Sequence, residues 1–386
     1  MRIVIVDPRG DTRPYDDALC EALARRGHEV ELVSCRYPHT ALEPPEGVRL
    51  AERFYRLADR LPPGPRRYAR GVEHPLDLAA LLPALRRARP DVIHVQWLPM
   101  HAVDRTFWRA ASRLLGVPVV FTAHDSLPNV AGGDTRRERR NERNARAFHH
   151  VITHTEHGAQ VLAQRFGVPD DRIARIPMGA FTEYRDVEPV APPVPDGAPV
   201  AALVGLLRPY KGLDLLLDAW PAVRAQVPDA VLLIAGRPFG EPAAERAAAL
   251  AADPASGVVA ELRYVSQGEF AGALRRAACC VLPYRRIDQS AVLLSTLAVG
   301  CPVVCTDVGG LREVVEESGA GLVVPPGDAP ALADAIARIL GDPALQQRLA
   351  SAALDAVERI YSWDVAAERH EAVYRRAVAE HAGGAR

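Results

Sequence analysis

Val204-Gly205-Leu206-Leu207-Arg208-Pro209-Tyr210-Lys211-Gly212 joins an apolar run, Val200 to Val204, to a segment of helical spacing, Leu213 to Val223. A short apolar run closed by glycine predicts a buried strand, and the recurrence of Leu213, Leu216, Leu217 and Trp220 predicts a helix. Strand, glycine turn and helix form the unit from which parallel sheets are wound. Lys211 is the only lysine among the 47 Lys+Arg residues, so every other basic residue is arginine. An ammonium is a compact charge with three donors, whereas guanidinium is a planar fork. At the carboxyl end of a strand, beside a helix N-terminus, one ammonium is suited to an anion. Arg208, three residues earlier, adds a second cation to the same loop.

The same rhythm runs outward in both directions. Val4 to Val6, Val30 to Val33, Val92 to Val95, Val117 to Phe121 and Val151 to Thr153 read as buried strands of an N-terminal half. Val200 to Val204, Ala230 to Ala235, Leu262 to Val265, Cys279 to Leu282 and Pro302 to Cys305 read likewise beyond residue 199. Asp16 to Arg26, Pro75 to Ala88 and Arg105 to Leu115 have helical spacing between them. Alternation of this kind predicts an α/β fold with two Rossmann-like, doubly wound parallel sheets. Glu188 to Pro199 holds five prolines in twelve residues. It cannot continue a helix or a central strand and reads as a stiff hinge. The expected domains are therefore 1–188 and 200–362, facing each other across a cleft, with a hinge at 189–199. A long C-terminal helix at 363–381 is expected to be able to return to the first domain.

At 386 residues, with 48% apolar and 25% charged residues, the chain fits two soluble globular domains. A net charge of −1 argues against a nucleic-acid binder. The N-terminus lacks the apolar core of a signal peptide and no stretch is long enough to span a bilayer, so a cytoplasmic protein is expected. Six cysteines without a Cys-x-x-Cys pair predict buried thiols rather than a disulfide framework. Neither Gly-x-Gly-x-x-Gly nor a P-loop occurs, which disfavours dehydrogenase and ATPase readings. No Asp-x-Asp occurs, so no carboxylate pair is evident to carry a divalent cation, and no metal or other cofactor is expected.

Several further residues carry candidate chemistry. Ser290 or Asp288 can cap the helix Ala291 to Val299, and that helix N-terminus can also point at an anion. His124 ends the fourth strand of the first half, where a structural hydrogen bond and a functional contact are both open. His149, His150, His154 and His157 crowd one segment, but the run turns into a helix near Thr155, which spoils a zinc geometry. Arg136 to Arg146 is a basic helix with interleaved glutamates. It reads as a solvated face, or as peripheral contact with a membrane or a phosphorylated acceptor.

Together, Val204 to Leu217, Ile234-Ala-Gly-Arg237, Leu282-Pro-Tyr284, Ala298 to Val304 and Asp307 to Glu313 resemble group 1 (family 4) glycosyltransferases of the GT-B fold. Arg26 to Val30 and Pro90 to His94 resemble that family's first domain. The resemblance implies a nucleotide-sugar donor on the second domain, a hydroxyl acceptor on the first, and retaining transfer without a metal. It implies that Lys211 grips the donor diphosphate, helped by Arg208, while Gly205 and Gly10 let loops approach it and Arg237 lies near the nucleoside. His124 would bond the sugar or the reacting centre. The chain departs from the family at Leu206, where arginine is usual, and at Ile287 and Ser295, where two glutamates are usual. Asp288, Gln289, Ser290 and Ser295 are the donor-side candidates of this variant segment. A hydrolase or epimerase of the same fold would release or isomerise sugar without an acceptor. A silent binding subunit would hold donor without turnover.

Overall fold

The computed structural model describes residues 1–10, 12–37, 44–125 and 135–384. It divides into two compact units, Met1–Met178 with Trp363–Arg386, and Gly179–Ser362.

The first unit is built on seven parallel strands: β1 (Arg2–Asp7), β2 (Glu29–Cys35), β3 (Val48–Phe54), β4 (Val92–Val95), β5 (Val119–Thr122), β6 (His150–Thr153) and β7 (Ile173–Arg175). Their order is β3-β2-β1-β4-β5-β6-β7. The second holds β8 (Val200–Val204), β9 (Val231–Ala235), β10 (Val258–Glu261), β11 (Cys279–Leu282), β12 (Val303–Thr306) and β13 (Gly321–Val324), in the order β10-β9-β8-β11-β12-β13. Every pairing is parallel, and helices connect the strands except between β2 and β3, where no helix lies among the described residues. Strand order reverses between β1 and β4, and again between β8 and β11. In open α/β sheets such reversals leave a crevice at the carboxyl ends of the strands, where ligands sit.

Central strands are buried throughout, as a sheet covered on both faces requires. The expected strand at Leu262 to Val265 is instead displaced to Val258–Glu261, where Val258 and Val259 pair with Leu232 and Leu233. Tyr264 in the expected stretch is 70% exposed. All six cysteines are free and buried. No described helix is long and apolar enough to cross a membrane.

The expected hinge at 189–199 lies within the second unit. The Val190 N–H donates to the Gly268 carbonyl at 2.9 Å, and Arg276 donates to the carbonyls of Pro195 and Ala198. The boundary falls earlier, between Met178 and Gly179, because those bonds tie the proline run to the second sheet's helices. The C-terminal helix Trp363–Gly384 packs in the first unit against the helix Arg13–Arg25, with Arg25 on Asp364 and Arg26 on Glu371, each at 2.8 Å. Its Tyr374 hydroxyl bonds His94 at 2.7 Å.

Candidate functional site

In the second unit, the loops after β8 and β11 flank the reversal point. Pro209–Lys211 forms a single 3₁₀ turn that carries the Lys211 ammonium inward to 6% exposure. Its Nζ lies 5.4 Å from the Tyr284 ring centroid, and no carboxylate pairs with it among the described residues. Burial, with help from Arg208, pulls its pKa down to about 8. Gly205 sits at φ +94°, and a Cβ there would lie 3.3 Å from the ammonium, so the glycine keeps the space above Lys211 open. Arg285 of the β11 loop is spent otherwise, paired with Asp214 and donating its backbone N–H to the Tyr210 carbonyl. Among the described residues Lys211 is therefore a buried cation without a counter-charge, suited to an anion.

Around it the remaining donor-side candidates separate. Arg208 is exposed, with its guanidinium 4.7 Å from the Phe239 ring centroid. Arg237 is exposed in the loop after β9, and its carbonyl accepts from the Leu207 N–H at 2.9 Å. Ser290 caps the helix Ala291–Ala298, its hydroxyl accepting from the Leu293 N–H at 3.2 Å. Asp288 is buried beside it and Gln289 is half-buried. Ser295 points back into its own helix, donating to the Ala291 carbonyl at 2.9 Å. That bond occupies the hydroxyl proton expected to serve a donor, because serine within a helix readily bonds the carbonyl four residues back.

In the first unit, Gly10 ends the described loop after β1 at φ +66°, and a Cβ there would fall 2.8 Å from the Cys35 sulfur. Glycine is thus required locally, whatever approaches it. His124 follows β5 and is half-buried. Its Nε2 lies 2.9 Å from the Gln96 amide and its Nδ1 lies 3.3 Å from His154 Nε2. Trp97 stacks on it at 4.8 Å, with 13° between the planes. Burial first, and then His154, His94, His370 and Arg9, hold the imidazole neutral by pushing its pKa well below the usual range. Gln96 and Trp97 carry no signal in the sequence, and His154 stands out there only within the histidine-rich segment, since these partners reach His124 from the ends of β4 and β6.

The histidine-rich segment holds no metal set. His150 bonds Glu380 at 3.0 Å, His154 bonds the Ile176 carbonyl at 2.9 Å, and His149 accepts from the Val119 N–H. Among the described residues no group of three His, Cys, Asp or Glu side chains could hold a metal ion.

The basic helix Thr135–Ala145 lines a groove of about 600 Å³ together with Met100 and His101. Glu138 and Glu142 are taken up by Arg165 and Arg146. Arg139, Arg140 and Arg143 then line the groove without a carboxylate partner among the described residues. Arg140 Nε is buried and unpartnered. Burial and then Arg140 press His101 down to a pKa of about 4. Three arginines beside a neutral histidine make a candidate second anion site.

Residues 198–342 match the family model described as glycosyl transferases group 1, and residues 17–184 match that of glycosyltransferase family 4. A D-inositol 3-phosphate glycosyltransferase of Acidothermus cellulolyticus is 30% identical over 96% of this chain and 86% of its own length. One from Nocardioides sp. is 31% identical over 75% of this chain and 68% of its own. Sucrose-phosphate synthase from Thermosynechococcus elongatus superposes with a TM-score of 0.76 at 22% identity, covering 98% of this chain and all of the other. HepE of Anabaena in complex with UDP-glucose superposes with a TM-score of 0.65 at 17% identity, each chain wholly covered. These structural likenesses carry the GT-B fold.

Proposed function

Because the chain belongs to the group 1, family 4 glycosyltransferases, we propose that it moves a sugar from a nucleoside diphosphate sugar to a hydroxyl of a phosphate-bearing acceptor, with retention of anomeric configuration. The observation that carries the donor assignment is Lys211, a buried ammonium with no counter-charge among the described residues, at the reversal point between β8 and β11. The diphosphate would lie there, with Arg208 beside it and the capped helix at Ser290 offering its N-terminus. The acceptor oxygen would bond to the anomeric carbon as that carbon's bond to the diphosphate breaks. The acceptor's proton would pass to the departing phosphate oxygen, so the cations' task is to stabilise charge growing on the leaving group. Side-chain cations then take the part that a divalent metal can play at a diphosphate.

The acceptor assignment rests on the arginine groove of the first unit. A phosphate there would meet Arg139, Arg140 and Arg143, and relatives named for an inositol phosphate substrate agree with that chemistry. His124, beyond the neighbouring strand end, would bond a hydroxyl of the reacting sugars.

Thermal denaturation against UDP, GDP, ADP and TDP sugars tests the donor site. A matched donor at 100 times its Kd adds about 2.7 kcal/mol of stability. No stabilisation by any member would remove the donor assignment.

A further inference from the structure

His124 and His154 form a directed chain of hydrogen bonds whose polarity can be followed atom by atom. It begins at the Ile176 carbonyl, 2.9 Å from His154 Nδ1. A carbonyl only accepts, so Nδ1 of His154 carries a proton. His154 is 5% exposed, and burial pulls its pKa to about 4. The ring is therefore neutral and its Nε2 is a bare lone pair. That lone pair faces His124 Nδ1 at 3.3 Å. A hydrogen bond there requires the proton to sit on His124 Nδ1.

The opposite polarity fails on charge. If His124 carried its proton on Nε2 instead, His154 would have to donate from both nitrogens as an imidazolium. Such a cation would be buried with a carbonyl and a second imidazole as partners, and with no carboxylate beside it among the described residues. Desolvation makes that state costly.

We infer that His154 is a positioning residue that fixes His124 as its Nδ1–H tautomer, so that His124 presents a bare Nε2 and accepts, rather than donates, a hydrogen bond. Ring orientation is fixed as well, by stacking on Trp97 and by the edge contact with Tyr15 at 5.0 Å. Nε2 lies 2.9 Å from the Gln96 side chain. Two lone pairs cannot face each other, so Gln96 must turn its NH₂ toward His124. With its oxygen toward His124 instead, Gln96 buries that NH₂ without an acceptor, and rotating the amide by half a turn gives it one. A carbonyl oxygen left in the vacated place is better tolerated than an unmet donor.

The consequence is selection by polarity. A hydroxyl or amine that displaces the Gln96 NH₂ can donate to His124 Nε2 in its place, whereas a phosphate or carbonyl oxygen would confront that lone pair with its own. His124 thus selects a sugar hydroxyl over an anionic oxygen. This last step rests on the transferase reading; the tautomer itself does not.

The test uses the full chain labelled with ¹⁵N-histidine. Multiple-bond ¹H–¹⁵N correlation spectra report which nitrogen of each neutral imidazole carries the proton, and His124→Gln identifies the His124 signals. The expected pattern is Nδ1–H in the parent. His154→Gln keeps an acceptor at the position of Nε2 and should preserve both that pattern and most of the turnover. His154→Leu removes the acceptor and should let the proton move to Nε2, with kcat/KM lowered by about tenfold, the worth of one hydrogen bond. An Nε2–H signal in the parent would overturn the inference without recourse to any variant. So would an unchanged Nδ1–H signal in His154→Leu. An Nδ1–H signal in a parent that transfers no sugar would keep the tautomer device and sink the transferase reading instead.

Discussion

Replacing Lys211 with methionine separates the two effects of a buried, uncompensated charge. The folded ammonium titrates at about 8, whereas an unburied lysine titrates at 10.5. That gap of about 2.5 pH units, at about 1.36 kcal/mol each, makes the charged form cost on the order of 3 kcal/mol in the crevice at pH 7. The sign follows from proton counting. Between pH 8 and 10.5 the unfolded chain holds more protons than the folded one, so the cost is full below 8 and fades as pH rises. Methionine has similar length and no charge, and it can lie against Tyr284 and Gly205. Lys211→Met should therefore raise the unfolding free energy at pH 7 by up to about 3 kcal/mol, and by less at pH 9.5. The same variant should lose stabilisation by nucleoside diphosphates and lower kcat by about 10²–10³, as when one stabiliser of a developing anion is removed. Urea denaturation of parent and variant at both pH values, with and without nucleoside diphosphate, measures all but the turnover. A variant less stable than the parent at pH 7 that keeps the full ligand response would show that Lys211 is neither an uncompensated charge nor a ligand contact.

Other outcomes follow from the same geometry. Excess EDTA should leave most activity intact; complete loss restored by Mg²⁺ would transfer charge stabilisation from Lys211 and Arg208 to a metal. Arg139→Gln combined with Arg143→Gln should raise KM for a phosphorylated acceptor by about 10-fold or more, since each charge-assisted bond is worth about 1.5–3 kcal/mol. Equal KM changes for the unphosphorylated analogue would show that the groove does not read phosphate.

The legible part of this fold is its interior. Central strands such as Val200–Val204 and Val92–Val95 are buried on both faces and read as unbroken apolar runs. The edge strands do not read that way. Val48–Phe54 mixes charged with apolar residues without regular alternation, and Ile173–Arg175 and Gly321–Val324 are short and largely half-buried. Val258–Glu261 begins four residues before the expected stretch. Edges are half-solvated and blunted with polar residues, which erases the signal. The helix Pro63–Ala88 is legible only in its second half, because its first turns carry Pro63, Gly64, Pro65 and Gly71. At the donor side, Lys211 stands out through composition alone. Ser295 does not disclose its bond to Ala291, and the partners of His124 arrive from the ends of β4 and β6, too far apart in sequence to be associated.

Transfer of a sugar to an acceptor with its anomeric configuration kept can be read directly from the product. The direct measurement is proton NMR of the reaction between the stabilising nucleotide sugar and a phosphorylated cyclitol acceptor, read at the anomeric signal. A new glycoside with the donor's configuration is expected, formed in step with release of the nucleoside diphosphate. An inverted product, or free sugar as the sole product in the presence of acceptor, would contradict it.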